Sequence, residues 1–294
     1  MRFTVFTPTY NRAYCIKELY ESLKRQSFLD FEWIVVDDGS TDETEQLFEE
    51  IQSECKLFPV KYIKTKNGGK HRAINLGVSE ASGKLFFIVD SDDYLTDDAL
   101  QRADYVEKTI DSDIKHEFAG VCGLKGYDND TEIGSSFQGN YLDITQLERS
   151  KYNITGDKSE IFYTAILKEY PFPEFESEKF VTECVVWDKI ANDGYKLRFY
   201  NDVSVICEYR PDGLTSQGLS LFLKNPKGYG LYVYQCGKYG KTKGLEKWSQ
   251  YLKYFYEFRE NMSFRDIARN LHANPIYLWL RLFGMRLFYK LYDN

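Results

Sequence analysis

The chain has 294 residues, enough to bury a sizeable core in one large domain with or without an appendage. Its net charge of -7 and pI near 5.2 exclude a general nucleic-acid binder, because phosphate backbones demand a net basic face. Any phosphate the chain binds must be met by a local patch. Six cysteines (Cys15, Cys55, Cys122, Cys184, Cys207, Cys236) are scattered without a C-x-x-C pair, which reads as free thiols in a reducing compartment. The start MRFTVFTPTYNR turns polar too early for a secretory signal. No apolar run reaches the roughly 18 residues that span a bilayer, and a cytoplasmic location is expected.

In chain order, Phe3 to Thr7 reads as a strand, and Ile16, Leu19, Tyr20 and Leu23 share one helix face. Glu32 to Val36 is a second strand. Ser40 and Glu43 have the spacing of a capping box that opens a helix running to about Glu54. Val60 to Lys64 is a third strand, followed by a helix carrying Ile74, Gly77, Val78 and Ala81 on one face, then a fourth strand over Leu85 to Val89. Strands alternating with helices predict an α/β fold with a mostly parallel sheet. Further on, Ala119 to Leu124 reads as a strand and Gly126 to Asn140 as a loop. Phe180 to Ala191 is expected to be a helix, with strands over Leu197 to Tyr200 and Val203 to Tyr209. From about Lys224 the composition turns to Tyr, Lys, Arg and Leu at helical spacing.

Four polar segments follow the predicted strands, at the sheet edge where open α/β folds bind ligands. Val89-Asp90-Ser91-Asp92-Asp93 crowds three carboxylates at the end of an apolar strand. Such crowding is costly unless a cation is shared, and hard oxygen ligands suit Mn2+ or Mg2+ bridging to a diphosphate. Thr7-Pro8-Thr9-Tyr10-Asn11-Arg12 would present a fixed turn and a ring fit to stack on a base. In Asp37-Asp38-Gly39-Ser40 a carboxylate can accept hydrogen bonds from a uracil or a ribose, though Asp-Gly is also an ordinary turn. Asn67-Gly68-Gly69-Lys70-His71-Arg72 runs a glycine turn into a helix N-terminus, where backbone amides with Lys70 and Arg72 supply the positive patch that the acidic chain requires.

In this order and spacing, TPTYNR, VDDGSTDET, NGGKHRAIN and FIVDSDDYL resemble the donor half of the family 2 glycosyltransferases with the GT-A fold. The resemblance is strong over residues 1 to 125 and fainter to about 215. It implies a Rossmann-like, mixed and mostly parallel sheet. It also implies a nucleoside diphosphate sugar donor, usually UDP-linked, held by Thr7, Pro8, Tyr10, Arg12, Asp38, Lys70, Arg72, Asp90 and Ser91. Asp38 is placed near the base and Asp90 near the ribose, with the metal on Asp92 or Asp93. The family reaction inverts the anomeric carbon, and the implied acceptor is a hydroxyl of a glycan or lipid-linked molecule in bacterial surface polysaccharide assembly. On this reading residues 1–223 are the catalytic domain, with a nucleotide half over 1–125 and an acceptor half over 126–223, and 224–294 are a helical extension.

An inverting displacement needs a general base to take the acceptor proton. Family members carry it in a Glu-Asp or similar pair at the head of a later helix. Here Glu183 matches the first acid while Cys184 replaces the second, and Glu176, Glu178 and Asp188 compete for the role. Arg210, in the turn Glu208 to Thr215, could reach the diphosphate if a loop closes. His116 and His272 are isolated and offer no metal triad. The stretch 276–292, with Trp279, Leu280, Phe283, Leu287, Phe288 and Leu291 among Arg281, Arg286 and Lys290, fits either a peripheral contact with the inner face of a membrane or a helix packed on the chain or a dimer partner. Three rival readings fit less well. A dinucleotide oxidoreductase would want G-x-G-x-x-G after the first strand, and a nucleotidyltransferase a Gly-rich, Arg-containing loop there. A non-catalytic sugar-binding module explains the aromatic residues but not the ordered acidic and basic turns.

Overall fold

A computed structural model describes residues 1–292 except Tyr209 and Pro211, without the side chains of Thr215 and of residues from 285 on. The residues of the 276–292 stretch from 285 onward, Arg286, Leu287, Phe288, Lys290 and Leu291 included, therefore lie outside the described side chains.

The first half alternates β1 (Phe3–Thr9), α1 (Ile16–Lys24), β2 (Phe31–Asp37), α2 (Thr44–Glu54), β3 (Val60–Lys64), α3 (Lys70–Glu80) and β4 (Leu85–Ile88). Strands β1 to β4 are mutually parallel, so the segments that follow them emerge at one edge. All seven residues of β1 and of β2 are buried, because helices cover both faces of the sheet. On one face Phe3, Val5, Trp33, Val35 and Phe87 pack with Ile16, Leu19 and Leu23 of α1 and Phe48 of α2. On the other, Phe6, Ile34, Val36 and Phe86 meet Ala73, Ile74 and Val78 of α3. Each large side chain withdrawn from water contributes about 2 kcal/mol.

After β5 (Asp93–Leu95) and α4 (Ala99–Lys108) come β6 (Phe118–Gly126), β7 (Tyr141–Ile144), β8 (Lys158–Tyr163), α5 (Thr164–Glu169), α6 (Cys184–Asn192) and β9 (Lys196–Cys207). The sheet order is β3-β2-β1-β4-β8-β6-β9-β5, with β7 paired to β9. Strand β8 runs antiparallel to both neighbours. Five helices follow: α7 (Leu219–Leu223), α8 (Pro226–Lys238), α9 (Gly244–Phe258), α10 (Phe264–Asn270) and α11 (Pro275–Tyr292). Their core of Tyr229, Tyr251, Tyr254, Phe258, Ile267 and Leu271 accounts for part of the chain's tyrosine content as packing.

Three local expectations change. The strands expected over Leu197 to Tyr200 and Val203 to Tyr209 are one long strand, β9, which ends at Cys207; Tyr209 lies outside the described residues. Helix α6 starts at Cys184 rather than near Phe180, and Glu183 stands at its head as the N-cap residue. Ser40 does not cap α2: its hydroxyl accepts the Asn11 N–H at 2.8 Å and donates to Asp37 at 2.6 Å. The helix starts instead at Thr44, whose N–H and hydroxyl bond to Asp42 at 3.1 and 2.6 Å. Asn11 also receives the Thr41 N–H at 2.8 Å. The polar turns after β1 and β2 are thus tied to each other, which is why the serine serves the loop rather than the helix.

Candidate active site

The geometry centres on Lys70 at the start of α3. Its ammonium lies 2.7 Å from Asp90, just past β4, and 2.9 Å from Glu183 at the head of α6. Burial opposes the lysine's charge, but Asp90 and Glu183 outweigh it and hold its pKa above the ordinary value. Three segments distant in sequence thereby converge on one cation. Two carboxylates that would otherwise repel are bridged by it.

The three acids after β4 have separate environments. Burial raises the pKa of Asp90, but Lys70 and Lys125 reverse this and hold it below the usual range. Asp93 is buried and bonds to Lys125 at 3.1 Å, and it accepts the Cys207 thiol at 3.3 Å. Asp92 has no ion-pair partner among the described residues, and burial and then the charge of Asp90 raise its pKa. A carboxylate in this state gains most from a nearby cation. The donor set fits a divalent ion held by Asp92 together with diphosphate oxygens and water, since Mg2+ and Mn2+ sites commonly use one or two carboxylates plus substrate. Among the described residues no group of three His, Cys, Asp or Glu side chains could hold a metal alone. Of the two acids expected at the metal, Asp93 is already engaged with Lys125, a partner 32 positions away that nothing in the local sequence marks.

The other expected positions fall into two groups. Tyr10 is 47% exposed at the sheet edge, so its ring is free to stack. Arg12 faces Asp92 but is paired with Asp212 and Tyr14, and Arg210 stacks over the Tyr14 ring. Arg210 and Asp212 are thereby fastened to the turn after β1, a link through Tyr14 and Asp212 that nothing in the local sequence marks. Thr7 and Pro8 are buried within β1, and the Thr7 hydroxyl accepts the Trp33 indole N–H at 3.0 Å. Ser91 is buried, and its carbonyl faces the Cys15 thiol. Asp38 accepts the Gly68 and Gly69 N–H groups at 2.6 and 2.8 Å. Burial nevertheless raises its pKa.

Arg72 pairs with neither Asp90 nor Asp92 among the described residues. Its guanidinium donates to the carbonyls of Gly68, Phe175 and Glu178 and to Glu174. Asn75 holds Phe172 through both its amide atoms. These two residues pin the segment 172–178, which leads to Glu183. Gly69 permits the close approach of Lys179, which follows that segment: the φ of Gly69 is +99°, and an added Cβ would lie 1.9 Å from the Lys179 carbonyl oxygen. Gly69→Ala is expected to lower stability by about 3 kcal/mol, read as a drop in thermal midpoint. An unchanged midpoint would mean that the segment yields freely.

The acids that compete with Glu183 are otherwise engaged or apart. Glu178 accepts the Lys227 and Gly228 N–H groups at the start of α8. Asp188 pairs with Lys241 at 2.8 Å, and Glu176 is exposed. Cys184 stands beside Lys241 and Asp188, with burial pushing its thiol up to about 11. His71, adjacent to Lys70, is buried with neither ring nitrogen hydrogen-bonded among the described residues. Burial, followed by Arg72, lowers its pKa to about 4, so it is neutral near pH 7.

A mixed sheet whose first four strands run parallel, with basic and acidic turns gathered at their carboxyl edge, is the arrangement in which open α/β folds bind ligands. The fold is that of the GT-A glycosyltransferases. It superposes on the Staphylococcus aureus TarS 1–349 structure with UDP-GlcNAc at a TM-score of 0.62, with 22% identity, covering 97% of this chain and 89% of that one. It also superposes on a Pyrobaculum calidifontis mannosyltransferase in complex with GDP-Man and Mn2+ at a TM-score of 0.50, with 19% identity, covering 97% and 73%. Residues 4–135 match the family model described as glycosyl transferase family 2.

In sequence the chain is 34% identical over 178 residues to the poly(ribitol-phosphate) beta-N-acetylglucosaminyltransferase TarS of S. aureus strain Mu50, covering 59% of this chain and 30% of that protein. It is 28% identical over 192 residues to the GalNAc(5)-diNAcBac-PP-undecaprenol beta-1,3-glucosyltransferase of Campylobacter jejuni, covering 63% and 58%. The chain thus spans under a third of the staphylococcal relative's length.

Proposed function

We propose that the chain is an inverting, metal-dependent glycosyltransferase. It moves a sugar from a nucleoside diphosphate donor, UDP-linked, to a hydroxyl of a glycan or lipid-linked acceptor in bacterial surface polysaccharide synthesis. The observation that carries this reading is the convergence of Asp90, Lys70 and Glu183 beside Asp92, which has no ion-pair partner among the described residues. The UDP-GlcNAc bound by the staphylococcal neighbour supports a UDP-linked donor. The acceptors named for the relatives are a poly(ribitol-phosphate) and an undecaprenol-linked glycan, which supports a polymeric or lipid-linked acceptor. Residues 1–223 are assigned to catalysis and 224–294 to a helical extension. The six cysteines are free, and no described helix is long and apolar enough to cross a membrane; action in the cytoplasm is part of the proposal.

Each proposed role follows from position. The Tyr10 ring stacks on the base, and Asp38 orders the Gly68-Gly69 turn beneath it. Lys70 meets the diphosphate and orients Glu183, while Asp92 holds Mn2+ or Mg2+. The ion, when bound, offsets charge on the leaving phosphate. Glu183 takes the acceptor hydroxyl proton onto a carboxylate oxygen as the sugar is attacked from the face opposite the diphosphate. Screening a panel of nucleotide sugars for metal-dependent binding and hydrolysis tests the proposal. UDP-sugars are expected to bind in preference to GDP-sugars; binding confined to GDP-mannose would overturn the UDP assignment.

A further inference from the structure

The charge of the chain is divided unevenly. Residues 224–294 carry thirteen Lys and Arg against five Asp and Glu, while residues 1–223 carry twenty-five against forty. An acidic catalytic part therefore bears a strongly basic helical unit, and such asymmetry needs an anionic partner to be useful. Lys224, Lys227, Lys238, Lys243, Lys253 and Arg265 are exposed, with no acidic partner among the described residues.

The same unit leaves apolar surface uncovered. Helix α11 packs against α9 and α10, and of its described side chains only Leu278 and Leu282 are buried hydrophobics. Ile276, Trp279, Leu280 and Phe283 are each at least half exposed, and Trp279 stacks on Phe283 at 5.4 Å. Arg281 lies over the rings of Trp248 and Tyr277, which places a cation and aromatic rings side by side. Apolar side chains at this density mark an interaction surface.

We propose that this helical unit docks on an anionic lipid surface, with Ile276, Trp279, Leu280 and Phe283 entering the headgroup region and the exposed Lys and Arg of the unit meeting lipid phosphates. Nucleic acid would not use the apolar side chains, and a symmetric pairing of two copies through this face would bring two basic units together. A bilayer with acidic headgroups satisfies both features at once. The unit is also bonded to the sugar-transfer site. Glu178 caps α8 at 2.8 and 2.9 Å, and Asn225 accepts the Lys179 and Phe180 N–H groups at 2.8 and 3.1 Å. A docked unit therefore holds the segment leading to Glu183 relative to the surface from which a lipid-linked acceptor would be presented.

Flotation of the full chain with phosphatidylcholine vesicles, with and without phosphatidylglycerol, tests the proposal independently of the transfer reaction. The chain is expected to float with the anionic vesicles and to lose about tenfold in bound fraction on neutral vesicles or in high salt. The double variant Trp279→Ser, Phe283→Ser alters exposed side chains alone and is expected to abolish flotation while keeping the thermal midpoint and UDP binding. Undiminished flotation of that variant, or equal binding to neutral vesicles, overturns the proposal. So does an absence of flotation together with a dimer, seen by analytical ultracentrifugation, that the double variant dissolves; that result assigns the face to a second copy.

Discussion

Replacing Glu183 with Gln is expected to lower turnover by roughly 10²-fold or more while leaving donor binding intact, as removal of a general base implies. The glutamine keeps the shape of the side chain and a carbonyl that can accept from Lys70, whose ammonium lies 2.9 Å from the carboxylate, so the site stays assembled and only proton acceptance is lost. Neighbouring acids offer little compensation, since Glu178 caps a helix and Asp188 is paired with Lys241. Single-turnover kinetics combined with donor titration separates the two effects. Normal turnover in the variant would move the base to another residue.

Asp92→Ala is expected to lower turnover by roughly 10³-fold and to shift the Mn2+ concentration needed for activity upward, because the group that holds the ion against the diphosphate is gone. Asp92 forms no ion pair among the described residues, its nearest cations Arg12 and Lys70 being bonded to other acids, whereas Asp93 is bonded to Lys125. Asp93→Asn should therefore act mainly on stability, costing about 2 kcal/mol by leaving the partly buried Lys125 with only the charge of Asp90 to offset its own. A variant of Asp92 with unchanged metal dependence would assign the ion elsewhere, and the contrast between the two thermal midpoints would show which acid is structural.

Much of the first half was legible because its signals are local. Strand β3 matches the predicted span, and the turns that follow β1, β2 and β4 emerge at one edge because the strands are parallel. The second half was less legible. Strands β7 and β8 went unread because pairing with β9, β4 and β6 defines them, and such partners are remote in sequence. The same limit applies at the site. Clustered carboxylates could be seen in Asp90, Asp92 and Asp93, but the pairing of Asp93 with Lys125, and of Arg12 with Asp212, appears only in three dimensions. Arg72 carried the composition of a phosphate ligand, while its geometry is that of a brace for the segment at 172–178. Spacing reports what a side chain is able to do, and neighbours distant in sequence decide what it does.

Calorimetric titration of UDP into the wild-type chain, first with Mn2+ and then with excess chelator, tests the central claim most directly. The account predicts saturable one-site binding that depends on the ion and disappears with the chelator. UDP binding of equal strength in both conditions, or none in either, would contradict it.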